Sequence, residues 1–316
     1  MKRYFWIIAA IIVLIIVGII YFGNYQSEDT LKIGSILILT GKGSTAGAHS
    51  QKGIDLAVAE VNANGGINGK KLEVIYEDSS DNSPTAAVNA FYKLRSQGID
   101  LFVGLTWWTS GLAVAPLACE NESLVISPSI GSADFYESCD YLFDLWLNDD
   151  SLSETLADYL YEKGYKKIAI LGSKDSWETT QAENVKRAFE TLGGEVVSFQ
   201  IALYDQTDFK TEALKIQNSD AQAIVFTNYA HEHLSAKRFK EMGIELPFYS
   251  VLIDNTLIEG AEGAFEGTIV INSFTPSNEF SEKYRTAYNQ EPDGGADTGY
   301  DAIMLLATAI KETDSI

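Results

Sequence analysis

The feature that most constrains the fold is a repeated switch of hydrophobic period between Leu31 and Glu312. Leu31 to Leu39 is a largely apolar run, whereas Ile54, Ala57, Val58 and Val61 recur at helical spacing until Gly65-Gly66 stops them. The order then repeats, with strand 71–76, helix 85–96, strand 100–103, helix 110–119, strand 124–126 and strand 141–146. A second series follows: helix 151–163, strand 167–171, helix 177–192, strand 195–201, helix 208–218, strand 222–227, helix 231–242, and strands 247–251 and 267–271. Helices over 279–289 and 297–312 close it. Such βα units imply mostly parallel strands, because a parallel neighbour is reached by a crossover that lays a helix on the sheet. One sheet holding all these strands would be unusually wide, so the count predicts an α/β chain of two Rossmann-like lobes.

The N-terminus sets the compartment. Lys2 and Arg3 precede nineteen uncharged, mostly apolar residues, Tyr4 to Phe22, enough helix to cross a bilayer core. Basic residues before the run and acidic ones after it place the body outside the membrane. The run exceeds a usual signal-peptide core and no small-x-small site closes it, so residues 1–26 are expected to be a membrane anchor or uncleaved signal. The first cysteine is Cys119, which excludes acylation at a processed N-terminal Cys. Cys119 and Cys139, an even count in an oxidising compartment, permit one disulfide; two buried free thiols are the alternative.

Charge narrows the partners. With 23 basic and 44 acidic residues the net charge is −21, which repels nucleic acid and anionic headgroups. Small solutes or proteins remain. The acidity is scattered, as on a solvated outer surface.

Few residues could support catalysis. Gly41, Gly43 and Ala46 have the spacing of a dinucleotide turn, but that fingerprint needs an acid about twenty residues on. Here the second strand ends at Glu77-Asp78, over thirty residues past Gly43, so no dinucleotide cofactor is expected. There are three His residues and no G-x-S-x-G, H-E-x-x-H or zinc-spaced Cys pair, so the chain is not expected to be an enzyme. His231-Glu232-His233 would point its two imidazoles to different helix faces, which fits an exposed helix start better than a metal site.

Residues 57–104, with Asn62-Ala63-Asn64-Gly65-Gly66-Ile67-Asn68-Gly69 and the Asp78 after their strand, resemble the first lobe of type I periplasmic solute-binding proteins of the branched-chain amino acid class. Ala115-Pro116, Ile126-Ser127-Pro128 and Tyr300-Asp301-Ala302 follow in the family's order, and the resemblance covers residues 31–312. It implies the type I periplasmic-binding-protein fold, two lobes joined by a hinge that close on a small ligand, and delivery to an ABC permease; a membrane-held sensor ectodomain is the rival. The expected lobes are 27–148 with 275–316, and 149–274. Family members usually run further, with a third crossing and closing strands, whereas the pattern here stops after the 297–312 helix.

Ligands of open α/β sheets sit at the carboxyl ends of strands, which names the candidate loops. Thr109 and Ser110 at a helix start resemble the family's carboxylate cradle, or cap the helix. Ser129, Ile130 and Gly131 align with its second ligand loop, and Thr45 offers a hydroxyl from the first strand-to-helix turn. Trp107, Trp108, Trp177 and Tyr229 are expected to wall the cleft, where they could also hold a cation by its charge. Asn228 lies on the loop of Tyr229. The family's amine-binding acid aligns with Leu252, and Asp254 is the nearest carboxylate to take its role. The expected ligand is a branched-chain amino acid or a related amide or organic acid, and no cofactor is expected.

Overall fold

Among the described residues, ten parallel strands build two five-stranded sheets. The computed structural model describes residues 30–41, 43–80, 83–272 and 276–313; the expected anchor, 1–26, lies outside them. In the first sheet β1 (Thr30–Leu37), β2 (Lys71–Asp78), β3 (Leu101–Val103), β4 (Leu124–Ser127) and β5 (Leu142–Asp144) lie in the order β2-β1-β3-β4-β5. The second holds β6 (Lys167–Ser173), β7 (Glu195–Ala202), β8 (Ala223–Phe226), β9 (Phe248–Ser250) and β10 (Ile269–Val270), ordered β7-β6-β8-β9-β10. Both halves thus repeat one permutation.

The helices are α1 (Ser44–Ala63), α2 (Pro84–Arg95), α3 (Trp108–Glu120), α4 (Ala133–Tyr136), α5 (Asp149–Glu162), α6 (Ser176–Thr191), α7 (Lys210–Gln217), α8 (Glu232–Glu241), α9 (Asn255–Gly260), α10 (Asn278–Tyr288) and α11 (Ala296–Thr313). Both α4 and α9 escape the periodicity reading, because one or two turns are too short to show a repeat.

Both faces of the first sheet are covered, which is why β1 reads as a continuous apolar run. Ile33 and Leu37 pack with Ile54 of α1 and Ile303 and Leu306 of α11, while Ile36, on the other face, packs with Phe91 of α2 and Val114 of α3. The last helices in the sequence therefore complete the first lobe. The contact is close: a Cβ on Gly53 of α1 would overlap the carbonyl of Ala296 at the start of α11. In the second lobe Leu156, Ile170, Phe189, Phe226 and Phe239 share one fully buried core.

Cys119 and Cys139 form a disulfide with Cα atoms 5.9 Å apart, which decides between the two alternatives. It ties the end of α3 to the segment entering β5. The chain crosses to the second lobe between β5 and α5 and returns between β10 and α10.

Candidate functional site

The strand order reverses beside β1 and β3 in one lobe and beside β6 and β8 in the other, and each reversal opens a crevice at the carboxyl ends of the strands. A single cleft joins them. The first lobe supplies Thr45, Ala46, His49, Trp107, Trp108, Ser129, Ile130, Asp293 and Gly294; Trp146 and Asp149 come from the crossing; the second lobe adds Trp177, Tyr229, Leu252 and Asp254. The interior offers about 60 Å³ to the centres of water-sized molecules, space for a small solute.

The first turn stays close to the cleft because Gly47 has no side chain; a Cβ there would collide with the Ile38 carbonyl. Asp78 holds the exit of β1 by accepting from the Leu39 amide at 2.9 Å and the Thr40 hydroxyl at 2.5 Å. The loop after β3 is held more unusually. Leu105 and Trp107 have φ of 66° and 82°, positions a bulky residue adopts only when its surroundings over-determine it. The Leu105 amide donates to the Ile36 carbonyl at 2.7 Å, the Leu105 carbonyl accepts from Ser127 Oγ at 3.0 Å, and the Trp107 amide donates to the Ser129 carbonyl at 3.3 Å. These bonds to both neighbouring strands hold the backbone that carries Trp107 toward the opposite lobe.

There Trp107 meets Trp177, with ring centroids 6.3 Å apart, and Tyr229 at 5.8 Å; Trp177 and Tyr229 are 6.2 Å apart and edge-on. Three rings from both lobes thus pack together within the cleft. Trp177 is set at the start of α6 by Asp175, which caps the helix through the Trp177 amide at 2.9 Å.

Three carboxylates line the same cleft. Asp149 is 6% exposed; its Oδ2 accepts from Trp177 Nε1 at 2.7 Å, and the Trp146 indole also bonds to the carboxyl group. Burial, with the charges of Asp144 and Asp150 adding, pushes its pKa up to about 8 against the pull of the Trp177 indole. Asp254 accepts from Tyr229 Oη at 2.5 Å and caps α9 through the Leu257 amide at 2.8 Å. Asp293 reaches between lobes, accepting from the Asn255 amide at 2.7 Å and from the Gly294 amide at 2.8 Å. His49 is kept neutral: Lys52 donates to Gln290 Oε1, the Gln290 amide donates to His49 Nε2 at 3.1 Å, and Nδ1–H donates to Tyr284 Oη at 2.8 Å. Burial further lowers its pKa.

The structure brings Thr45, Trp107, Trp108, Ser129, Ile130, Trp177, Tyr229 and Asp254 together in the cleft. It does not bring Thr109, Ser110, Gly131 or Asn228 to that lining. Ser110 is fully buried in α3, and Asn228 is turned inward, where its Nδ2 donates to Ser235 Oγ at 2.6 Å. Gly131 lies behind Asp149, and its amide, like that of Ile130, donates to the Asp144 carboxylate, at 2.6 and 3.3 Å. Sequence reading missed Ala46, His49, Trp146, Asp149, Asp293 and Gly294. Asp149 and Asp150 open α5, where negative charge is favourable, and nothing local marks Asp149 as buried. The exposed helix start expected at His231-Glu232-His233 is corrected: Glu232 is fully buried beneath the cleft, near Glu178, and burial pushes its pKa well up.

Two parallel α/β lobes with a small, aromatic-walled cleft at facing strand ends define a solute-binding clamp. The chain belongs to the periplasmic binding protein family, whose pattern it matches over residues 30–316. The family consists of solute-binding proteins, not enzymes. The chain is 27% identical to Leu/Ile/Val-binding protein homolog 1 of Brucella suis biovar 1 (strain 1330), over 94% of this chain and 82% of the relative. It is 26% identical to the leucine-, isoleucine-, valine-, threonine-, and alanine-binding protein of Pseudomonas aeruginosa, over 92% and 81%. Among solved structures it is similar to the branched-chain amino acid transporter substrate-binding protein LivJ of Streptococcus pneumoniae with isoleucine (27% identity, TM-score 0.83, 90% of this chain and 84% of that one). The fold also matches a Rhodopseudomonas palustris BisB5 ABC-transporter solute-binding protein with 3,4-dihydroxybenzoic acid (24% identity, TM-score 0.82, 92% and 82%).

Proposed function

We propose that the protein captures a small organic solute, a branched-chain amino acid or a related amide or organic acid, outside the cytoplasm and delivers it to an ABC permease. The observation that carries this reading is the meeting of Trp107 from one lobe with Trp177 and Tyr229 from the other over a cavity of solute size. Ligand contact and lobe closure then become one event. The ligands named for the relatives support the solute class, and their roles favour delivery over a sensor function. In this reading lobe one is 27–148 with 275–316, lobe two is 149–274, and the hinge lies at the two crossings. Thr45, Trp107, Trp108, Ser129, Ile130, Trp177, Tyr229 and Asp254 contact the ligand.

Residues 1–26 serve as the membrane anchor, on the strength of their basic start and uncharged run. Among the described residues no helix is long and apolar enough to cross a membrane. The anchor is tested by alkaline washing of membranes: the full chain should stay and a chain lacking 1–26 should be released. Binding is tested by a thermal-shift and tryptophan-fluorescence screen of branched-chain amino acids, amides, aromatic acids and organic cations, since a ligand of the native state raises the midpoint by mass action. A screen in which no solute changes either signal overturns the proposal.

A further inference from the structure

The cleft has a one-sided charge inventory. Four of the five tryptophans and Tyr229 line it with three carboxylates, and none of its described lining residues is Lys or Arg. His49 adds no charge, because its ring is held neutral by Gln290 and Tyr284. The groups expected to cradle a carboxylate are elsewhere: Thr109 and Ser110 do not line the cleft, and the Ile130 and Gly131 amides are spent on Asp144. A solute that is only an anion would meet like charge with no opposite charge to hold it.

Resting on the reading that this cleft holds a small amino-acid-like solute, we infer that the amino group of that solute is alkylated, as in a betaine, and is seated on the faces of Trp107, Trp177 and Tyr229 and against the Asp149 carboxylate. Aromatic faces attract a cation through the ring quadrupole, and the attraction grows when water is excluded. Asp149, which lines the cleft beside these rings and is held by the Trp177 indole, supplies the countercharge when the cation ionises it. The other two carboxylates are already engaged at both oxygens, Asp254 by Tyr229 and Leu257, Asp293 by Asn255 and Gly294. A primary ammonium has three N–H donors to satisfy, whereas a methylated one spreads its charge over carbon and suits rings better than scarce acceptors. The buried, unpartnered Trp108 Nε1–H and the Ser129 hydroxyl remain as neutral donors for an acceptor group elsewhere on the solute. The net charge of −21 favours the approach of cations.

The test compares choline with 3,3-dimethylbutan-1-ol, which has the same shape without the charge, alongside glycine betaine, isoleucine and benzoate. Calorimetric titration of the folded chain should show a trimethylammonium compound binding at least about tenfold more tightly than the uncharged isostere. Asp149→Asn replaces a carboxyl that is protonated in the ligand-free protein by an amide of the same volume, so the variant should fold. It should weaken choline by about tenfold or more and leave the isostere unchanged. Choline does not titrate, so its pH profile reports the protein. Affinity should rise by up to about tenfold per unit from pH 6 to pH 8 and flatten above, and Asp149→Asn should lose this slope. The groups facing Asp149 are Asp144, Asp150, which pairs with Arg187, and the indoles of Trp146 and Trp177. Isoleucine or benzoate binding without either trimethylammonium compound overturns this inference and leaves the solute-binding proposal standing. Equal affinities for choline and its isostere, or an Asp149→Asn variant that binds choline normally, also overturn it. No binding by any solute overturns both.

Discussion

Replacing Asp293 by alanine tests whether the cleft is held shut from within the protein. Its carboxylate, on the loop before α11 of the first lobe, accepts the Asn255 amide of the second lobe at 2.7 Å. A hydrogen bond to a charged group contributes about 1.5–3 kcal/mol. Asn255 is itself exposed, so its amide finds water when the bond is broken, which places the loss near the lower figure. About 1.5 kcal/mol is roughly a tenfold fall in the ratio of closed to open protein. If tight binding belongs to the closed form, Kd rises by about the same factor, mainly through faster dissociation. Asp293 also lines the cleft, so a lost ligand contact must be told apart from a lost latch. A latch costs every ligand the same factor and expands the ligand-free protein in small-angle scattering, whereas a contact depends on the ligand and leaves the free protein alone. Stopped-flow tryptophan fluorescence with two chemically different ligands, together with scattering, decides it. Unchanged dissociation rates for both ligands, with an unchanged radius of gyration, would refute the reasoning.

Three further outcomes follow from the geometry. The disulfide joins residues 20 apart, so the Cys119→Ser, Cys139→Ser protein should lose about 3 kcal/mol, read by urea unfolding under non-reducing conditions. Gly47→Ala should cost about 1–3 kcal/mol and weaken ligand binding, because the new Cβ forces α1 away from the Ile38 carbonyl; calorimetry with a ligand from the screen measures both. The folded-state pKa of Asp149, about 8, lies above the unfolded value of about 3.9, so the folded state holds a proton that the unfolded state releases. Ligand-free stability should therefore fall as pH rises from about 4 to about 8, and Asp149→Asn should flatten that fall in pH-dependent melting.

The loops that line the cleft were readable because they follow strands. A strand of a covered parallel sheet announces itself by an apolar run, and the turn after it carries Gly, Thr, Ser or Trp that the run excludes. Thr45, Trp107, Trp108, Ser129, Trp177 and Tyr229, which line the cleft, stand on such turns. Thr109, Ser110 and Asn228 lie off that lining, since lying near a strand end does not say which way a side chain points. In the loop before α3 the direction is set by the positive φ of Leu105 and Trp107, which turns the indole into the cleft. No propensity scale anticipates that backbone for a tryptophan, because it is sustained by bonds to Ile36, Ser127 and Ser129 on neighbouring strands.

The chemistry of the cleft shows the same division. The amino-acid sequence by itself determined the alternation of strand and helix, the split into two sheets and the acidic, aromatic stock of side chains, because period and composition are local properties that each segment carries alone. Tertiary structure alone decided that Asp149 is buried against Trp177, that Asp293 meets Asn255, and that His49 stands neutral beside Tyr284. Those three facts join residues 28, 38 and 235 positions apart. Burial and charge depend on what folds over a residue, and over these residues lie segments that their own neighbours in sequence do not specify.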